Sequence, residues 1–422
     1  MVFINRQQIL YDISLFTSQP KARFYDELFL SLDLSAIPCY DCETGRKGAS
    51  NHAYICAFIV MKCEGFTQIS DLHDYLTNNL LIAHYCGFDI MKPLPSYASF
   101  TRFVRELDND LLQKLMQTEV LKAAELCLID TSFIALDSTP VKANVSNNNP
   151  KSFSHNKFSK SKPPKADKDC ALGVHTASNL ANEKNYELYW GYKNHVLVDC
   201  ISGLPICELT TGANIYDSTV CLDMLAKTNA FLPLRECSFL ADKAYDVKEI
   251  YNTVKSVYQG DCYIPLNTRN TKNPKKLPSG RPLCEAGLAM LKDGKSYDRN
   301  RTRQKYCCPL KGKKNAVCPC SHKCFGNVRG CVKYITVPDD YRLSIDRNSI
   351  AWRSIYSLRT EAERYNSRVK QAGCERVFVR NENSVKNLNS IAHIALLAIA
   401  IATVSLKKNV SYRSVKSVKR IA

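Results

Sequence analysis

The sequence predicts a mixed α/β fold: a mixed sheet flanked by helices, with a helical N-terminal region and a basic, Cys-rich insertion. Three observations predict it. Apolar residues recur at helical spacing up to about residue 125. Short β-rich runs alternate with helical segments from Cys127 onward, a pattern typical of an α/β domain. The segment 267–333 then holds 17 Lys and Arg against 3 Asp and Glu, a net charge of +14.

The N-terminal region is predicted to be a set of short helices. Ala53–Leu76 has helical periodicity with a break near its middle, after which Ser70 is expected to cap a second helix. Ser96–Leu107 places its large apolar side chains on one face and Arg102 and Arg105 on another. Short helices followed by a helix with exposed arginines fit a helix-turn-helix-like DNA-binding module. A plain helical dimerisation or packing region fits equally well.

The α/β part is predicted from short apolar runs bounded by turn residues. A polar segment, Asn144–Asp169, carries Lys residues in excess and predicts a mobile loop, either along a DNA backbone or simply solvated. The predicted strands are Ser132–Leu136, His195–Asp199, Leu204–Thr210, Ser238–Ala241 and Cys262–Pro265, and the predicted helices are Asp217–Leu225, Val247–Val257, Ile350 to about Ala372 and Leu388–Leu406.

The net charge of +18 indicates an anionic partner, with nucleic acid as the first candidate and an acidic membrane surface as the second. The apolar run Leu388–Leu406 contains polar residues and is at the short limit for a bilayer, so we expect a buried helix and no membrane partner. Met1–Phe16 lacks the pattern of a signal peptide, which predicts a cytoplasmic protein. Its 20 Cys are then expected to be reduced thiols.

Three carboxylates have positions suited to chemistry. Asp137 and Asp242 each follow a predicted apolar strand, and Glu363 lies midway along the predicted helix that starts at Ile350. Ligands bind at the edge where such strands end. Converging carboxylates are the ligands that Mg²⁺ or Mn²⁺ prefers, and two such ions can activate a water or a 3′-hydroxyl against a phosphodiester. We therefore expect a two-metal site.

The helix that carries Glu363 has an unusual face. Tyr356, Arg359, Glu363 and Lys370 fall within an arc of roughly 60° at about 100° per residue. This face offers an aromatic ring, two cations and a carboxylate, where a packing face would be apolar. The alternative is an exposed helix with ion pairs, since Arg359 and Glu363 are four residues apart.

These motifs resemble those of the bacterial insertion-sequence transposases that carry a DDE triad on an RNase H-like fold. One branch has the signature Tyr, two residues, Arg, three residues, Glu, six residues, Lys, which Tyr356–Lys370 matches in full. Asp137-Ser-Thr-Pro and Asp242-Lys-Ala-Tyr-Asp resemble the segments around the two family Asp, with Ala244 in place of Gly. Further similar segments are Gly191–His195, Asn214 with Asp217, and the helical leader from Cys86 to Arg102.

The resemblance implies an RNase H-like DDE catalytic domain in which Asp137, Asp242 and Glu363 are the catalytic metal ligands. It implies that Tyr356, Arg359 and Lys370 bind DNA at the element's end. The enzyme would nick DNA to expose a 3′-hydroxyl, which attacks target DNA by transesterification. The expected partners are the double-stranded element ends and target DNA, with a homodimer in the DNA complex. The expected location is the bacterial cytoplasm, associated with the nucleoid.

The predicted domains follow from these segments: a DNA-binding or dimerisation domain at 1–125, the catalytic domain at 126–266 and 350–406, the insertion at 267–349 and a basic tail at 407–422. Three other functions stay open: a different RNase H-like nuclease, a domesticated DNA-binding protein without catalysis, and a zinc-dependent regulator. Three nearby carboxylates compete for the triad positions: Asp130, Asp246 and Glu361. Asp246 is expected to cap the following helix instead.

The insertion also contains a cluster of metal-binding residue types. Some of its spacings approach those of zinc ligands, but clean C-x₂-C pairs are missing. A structural Zn²⁺ in the segment Cys284–Cys331 and a set of reduced structural thiols therefore both stay open. The candidates are Cys284, Cys307, Cys308, Cys318, Cys320, His322, Cys324 and Cys331.

Overall fold

The computed structural model describes residues 14–40, 44–45, 47–151, 156–178, 184–267, 277, 281–298, 301–311, 313, 316–317, 319, 331–336, 341–343, 345–405 and 411–421. They form two compact units. One lies within Met1–Pro265 and Asn348–Ala422, and the other lies within Leu266–Arg347.

The first unit begins with short helices, as predicted. They are α1 (Ser14–Thr17), α2 (Pro20–Ser31), α3 (Asn51–Glu64), α4 (Ile69–Asn78), α5 (Leu80–Cys86), α6 (Tyr97–Glu106) and α7 (Asn109–Glu125). Gly65 ends α3 in the left-handed conformation, with φ 73°. The predicted cap at Ser70 is wrong, because α4 begins at Ile69 and Gln68 takes the extended cap position. Helix α6 buries Phe100 and Val104 and exposes its arginines.

The mixed sheet has six described strands: β1 (Phe133–Lys142), β2 (Ala171–Ser178), β3 (Lys184–Asp199), β4 (Pro205–Gly212), β5 (Ser238–Ala241) and β6 (Asp261–Tyr263). The long strand β3 pairs antiparallel with β1, and it pairs antiparallel with β2 and β4 along its successive halves. Strands β1, β5 and β6 are mutually parallel neighbours. The predicted mixed sheet flanked by helices is confirmed: β1 to β4 pair antiparallel, and β5 and β6 extend the sheet in parallel.

The connection between β3 and β4 is a tight turn held by Asp199. Its carboxylate accepts hydrogen bonds from the backbone N–H of Ile201 and Ser202, each at 3.0 Å. Gly203 has φ 72°, and a Cβ there would lie 2.2 Å from the Glu361 carboxylate. Glycine is therefore required at this position for both backbone and space.

The remaining helices of this unit are α8 (Asp217–Phe231), α9 (Lys248–Ser256), α10 (Ile350–Ser357), α11 (Thr360–Val369), α12 (Glu382–Ser405) and α13 (Val415–Ile421). Helix α12 contacts α3, α6, α7 and β4. By length and composition, Glu382–Val404 could cross a membrane, but 94% of its most apolar window is buried inside the protein. The predicted buried helix is therefore confirmed.

The polar segment after β1 differs from the prediction of a mobile loop. Asn148 donates a hydrogen bond to the Trp190 carbonyl at 2.6 Å, and the Trp190 indole donates to the Lys157 carbonyl at 2.9 Å. Asp167 is buried and accepts from the Tyr192 hydroxyl at 2.9 Å. The described part of this segment is anchored to β3 through Asn148, the Lys157 carbonyl and Asp167, while most of its lysines are exposed.

The last described segment, 411–421, also packs onto the first unit. Arg413 donates to the carbonyls of Ile201 at 2.8 Å and Ser202 at 3.2 Å. Lys419 in α13 forms an ion pair with Glu64 at 2.9 Å. These basic side chains, expected in a tail, are bound within the protein.

The second unit contains an antiparallel sheet of β7 (Leu291–Asp298), β8 (Arg301–Cys307) and β9 (Val332–Thr336). Its small core includes Cys284, Met290 and Tyr306. Most of its described lysines are exposed or half-buried, and some pair locally, as Lys305 does with Asp293 at 2.8 Å. Among the described residues, this unit buries far fewer apolar side chains than the first unit.

Candidate active site

The sheet register places Asp137 and Asp242 side by side. Leu136 in β1 pairs with Ala241 in β5, and the two Asp are the next residues of these parallel strands. Neighbouring strands lie about 4.8 Å apart. Asp137 does not end its strand as predicted, because β1 continues to Lys142 through antiparallel pairing with β3. Strand β5 does end here. The candidate site therefore lies where β5 ends beside β1, which continues.

Asp242 is fixed by the turn that follows it. One of its carboxylate oxygens accepts a hydrogen bond from the Ala244 N–H at 2.7 Å, which caps the 3₁₀ turn Lys243–Tyr245. The side chain is thus oriented by the local backbone. The Asp-Lys-Ala-Tyr sequence supplies both the cap and the turn.

The predicted single helix is two helices joined by a tightened turn. Leu358 and Arg359 keep right-handed helical dihedrals, but the hydrogen bonds around them span three residues, as from the Arg359 N–H to the Tyr356 carbonyl at 3.1 Å. The predicted grouping of Tyr356, Arg359 and Glu363 survives this break. The Arg359 guanidinium lies 5.8 Å from the Tyr356 ring centre and forms an ion pair with Glu363.

Lys370 lies outside the regular helix. It begins a π-type turn, Lys370–Cys374, where Gly373 adopts φ 81°. Its ammonium pairs with Glu375 at 3.6 Å. Lys370 remains on the same connected segment as Glu363, with its charge partly neutralised by a neighbour.

The electrostatics link the three predicted metal ligands. Burial raises the pKa of Asp137 to about 6. Arg359 opposes this shift, and the negative charges of Asp242 and Glu363 reinforce it. The pKa of Asp242 is also raised, first by burial, and the carboxylate of Asp217 adds to the shift while Arg359 opposes it. These carboxylates therefore share one electrostatic neighbourhood, in which their mutual repulsion is only partly offset.

The structure does not close these groups into a ligand cluster. Within the described ranges, no three His, Cys, Asp or Glu side chains form a group that could hold a metal ion. Glu363 is 53% exposed and its carboxylate is engaged by Arg359. The aspartates are adjacent through the register, whereas Glu363 is within electrostatic reach but turned toward the arginine.

Asn366 is a site residue that the sequence reading missed. Its amide donates a hydrogen bond to the Asp137 carboxylate at 3.0 Å, and the side chain is largely buried. It lies three residues after Glu363, on the same face of α11. That spacing could have identified it, because a helix face that carries one ligand also approaches the strand that carries another.

Asp217 forms a second charged group near the aspartates. It is the first residue of α8 and pairs with Lys193 at 3.1 Å. His195 lies 3.7 Å from Asp217 through Nδ1, which has no hydrogen-bond partner, and Nε2 contacts the Thr211 hydroxyl at 3.0 Å. Burial lowers the pKa of His195 to about 4, so the ring is neutral at pH 7. Asp217 thus combines a helix-start position with a place beside Asp242.

A buried network of hydrogen-bonded side chains supports α11. The Tyr365 hydroxyl lies 2.6 Å from His393 Nδ1, and His393 Nε2 lies 2.9 Å from the Asn194 side-chain oxygen. Burial, with a contribution from Lys62, lowers the pKa of His393 to about 3. A neutral ring that accepts from Tyr365 and donates to Asn194 satisfies all three side chains. This network of side chains connects α11 to both α12 and β3.

The three rival carboxylates have structural partners. Asp130 accepts from the N–H and hydroxyl of Ser132 in a local turn, at 2.8 and 2.6 Å. Asp246 does not cap α9, whose cap is Val247, and it instead accepts from the Tyr251 hydroxyl at 3.3 Å. Glu361 is buried and paired with three arginines: Arg364, Arg368 and Arg413.

The candidate zinc ligands are only partly described. Cys284, Cys307 and Cys308 are buried, and Cys331 is half-buried. These four thiols and their described neighbours do not form a metal-binding group. The other candidates, Cys318, Cys320, His322 and Cys324, lie outside the described residues.

Comparison with known proteins gives a family match and a structural likeness. The family described as "Transposase DDE domain" matches residues 129–398, more than half of the chain. A cryo-EM structure of a piggyBac transposase synaptic complex with hairpin DNA is 12% identical, with a TM-score of 0.41. That alignment covers 97% of this chain and 80% of the other. No curated protein sequence matches.

Proposed function

We propose a function from one premise: the chain belongs to the transposase DDE domain family, which matches residues 129–398. It is therefore a transposase. We propose that it acts on an insertion sequence of the bacterial branch with the Tyr-Arg-Glu-Lys signature. It binds the element's ends, nicks DNA to give a 3′-hydroxyl, and joins that hydroxyl to target DNA by transesterification.

The observation that carries this proposal is the register of β1 and β5. It sets Asp137 beside Asp242, and the pKa of Asp137 is raised first by burial and further by the charges of Asp242 and Glu363. An all-oxygen donor set whose negative charge is only partly offset by Arg359 fits a hard divalent cation. Asp137, Asp242 and Glu363 would hold Mg²⁺ or Mn²⁺, with two ions proposed. When bound, these ions activate a water or 3′-hydroxyl and stabilise the leaving oxygen.

The signature residues are proposed to position DNA. The Tyr356 ring stacks on Trp352 with centroids 4.8 Å apart, which fixes an aromatic surface beside Arg359. Arg359 now binds Glu363, so a DNA phosphate at Arg359 would compete for that contact and free the carboxylate to turn toward the aspartates. Lys370 would exchange Glu375 for phosphate in the same way. DNA binding and assembly of the site would then be coupled.

We further propose that the chain acts as a homodimer, so that two element ends are held together, in the bacterial cytoplasm at the nucleoid. A structural zinc ion in the insertion remains a proposal. The zinc content of the purified protein tests this proposal. One zinc ion per chain would support the site, and no zinc would exclude it.

The test is a cleavage assay on DNA that flanks the gene, with Mg²⁺ or Mn²⁺. Wild type is compared with Glu363→Gln, and Glu249→Gln, an exposed carboxylate on α9, is the matched control. We expect strand-specific nicks with a 3′-hydroxyl at the element boundary, lost in Glu363→Gln and kept in the control. Boundary binding without cleavage by the wild type would favour a domesticated DNA-binding protein. Cuts without regard to the boundary would favour another RNase H-like nuclease.

A further inference from the structure

The segment that follows the π-type turn runs along the end of β1 and presents an alternating surface. The Lys142 N–H donates to the Glu375 carbonyl at 3.0 Å, and the Val377 N–H donates to the Lys142 carbonyl at 3.2 Å. Val377 is buried, whereas Arg376, Phe378 and Arg380 are exposed. We call these three exposed side chains the Arg-Phe-Arg stripe. Arg376 lies in the bridge to Lys142, and the segment then bends at Phe378 and Val379, so the stripe follows a curved piece of backbone.

The charges of the stripe are not neutralised by the part of the protein that the structure describes. The Arg376 guanidinium lies 5.7 Å from the Phe378 ring centre, and Phe378 itself is 38% exposed. Neither Arg376 nor Arg380 has a carboxylate partner among the described residues. By contrast, Arg368 and Arg413 in the same unit both reach Glu361. The stripe therefore offers two guanidinium groups and an aromatic ring to an external partner.

A groove continues the stripe toward the N-terminal helices. It encloses about 400 Å³ between the stripe and α6, and its lining includes Phe378, Arg380, Tyr97 and Arg105. Tyr97 is 49% exposed. Among the described residues that line it, none is Asp or Glu. Arg105 pairs with its exposed neighbour Glu106, a contact that contributes little to stability.

The stripe is connected to the active site through β1. Lys142, to which it is hydrogen-bonded, lies five residues beyond Asp137 on the same strand, or about 16 Å at the usual rise. Arg376 also lies six residues after Lys370. A strand of DNA with a phosphate at Asp137 can therefore reach the stripe within a few nucleotides.

We propose that the Arg-Phe-Arg stripe binds a DNA strand close to the cut, with phosphates on Arg376 and Arg380 and an unpaired base stacked on Phe378. The identity of the partner as DNA rests on the proposed function. Guanidinium groups that follow a backbone, interleaved with an exposed aromatic ring, form the usual surface for a single strand. Arginine can bind a phosphate and also stack on an aromatic ring, and Arg376 already lies over the Phe378 ring. The stripe distinguishes forked DNA from fully paired DNA.

The experiment measures binding of a fluorescein-labelled forked DNA and of a blunt duplex, both of arbitrary sequence, in EDTA so that cleavage plays no part. The variants are Arg376→Ala with Arg380→Ala, and Phe378→Ala alone. The matched control is Lys227→Ala with Arg235→Ala, two exposed cations of α8 and the loop after it. Thermal melting of each variant confirms that it folds.

We expect the arginine pair to weaken fork binding roughly tenfold and to lower the slope of log K against log salt by about 1.4–1.8. Phe378→Ala should weaken fork binding several-fold and leave duplex binding unchanged, while the control overlays the wild type. Unchanged fork binding in the arginine variant would overturn the proposal. If Phe378→Ala lost equal affinity for the forked and the blunt DNA, stacking of an unpaired base on Phe378 would be excluded. A change from dimer to monomer without loss of DNA binding would assign the stripe to a second copy of the chain.

The two proposals fail separately. If the wild type nicks element ends but the stripe variants bind DNA like the wild type, the stripe is wrong and the transposase function stands. If the stripe variants lose fork binding but the wild type never nicks, the proposed activity is wrong and the stripe stands.

Discussion

The carboxyl edge of the mixed sheet and the insertion unit both concentrate charge, but in opposite ways. At the sheet edge, Asp137, Asp242 and Glu363 come from distant parts of the chain, and burial raises the pKa of both aspartates. In the insertion, charges are largely exposed and pairs form between close neighbours, as Lys305 does with Asp293. Perturbed groups mark chemistry, whereas the largest net charge marks attraction for a polyanion. The highest charge in a chain therefore need not locate its active site.

The largest effect on nicking is expected from removing a buried charge at the sheet edge. Asp137→Asn is expected to reduce nicking by several orders of magnitude, because it deletes one ligand of the proposed two-metal site, with DNA binding retained. Single-turnover cleavage in Mg²⁺ and a binding titration in EDTA measure the two effects. The control, Asp130→Asn, changes an exposed carboxylate in a local turn and should keep near wild-type rates. Substantial residual cleavage by Asp137→Asn would remove that residue from the triad.

A smaller effect is expected for the residue that orients this carboxylate. Asn366→Ala removes the donor to Asp137 and should lower the rate roughly 10- to 100-fold, the usual cost of losing a group that holds a metal ligand. A positioning role also predicts weaker Mn²⁺ binding, measured by electron paramagnetic resonance on the protein bound to DNA. Asn252→Ala, an exposed amide on α9, is the control. If Mn²⁺ binding were unchanged while the rate fell, Asn366 would act on DNA instead.

The buried hydrogen-bond network that supports α11 should make the free energy of unfolding depend on pH. The pKa of His393 in the folded protein is about 3, below its ordinary 6.5, so the unfolded chain takes up the proton first as the pH falls. Stability present above pH 6.5 is therefore lost toward pH 3, by up to about 1.4 kcal/mol per pH unit from this group. The ionisable groups around the ring are Tyr365, Lys62 and, through Asn194, Glu208.

Urea unfolding at pH 7, 6 and 5 measures this loss. His393→Gln keeps one acceptor and one donor but cannot titrate, so its free energy of unfolding should fall less steeply with decreasing pH. His84→Gln, an exposed ring on α5, should follow the wild type. A slope in His393→Gln as steep as in the wild type would assign the pH dependence to other groups.

The smallest effect is expected in the insertion. Lys292→Gln with Lys295→Gln removes two exposed charges of β7 and should weaken DNA binding roughly two- to fivefold, while the salt slope falls by about 1.8 if both contact phosphate. The rate at saturating DNA should not change. A lower rate at saturating DNA would show that the insertion unit takes part in catalysis and does not only bind DNA.

Much of the fold could be predicted from local pattern. The strand Ser238–Ala241 and the turn at Gly203 are found as expected, because an apolar run bounded by turn residues constrains both. Strand β2 and the first half of β3 were not predicted. Their exposed residues, such as Tyr186 and Glu187, give no continuous apolar run, and only pairing between the two strands defines them.

The candidate site could be predicted in part for a similar reason. The aspartates follow apolar strands and Glu363 lies in a recognisable motif, so each can be named from its surroundings. The contacts between them depend on tertiary structure. The hydrogen bond from Asn366 to Asp137 joins residues 229 positions apart, and the π-type turn at Lys370 ends a helix whose periodicity predicted continuation.

The bound C-terminal segment has a consequence for biosynthesis. Arg413 holds both Glu361 and the Gly203 turn, so a segment made after all three proposed catalytic carboxylates braces the helix that carries Glu363. A product released by a stop codon before residue 411 would contain every proposed catalytic carboxylate and still lack this brace. Such a shortened protein would be expected to bind DNA more readily than it cuts it, and so to compete with the untruncated protein for the same DNA.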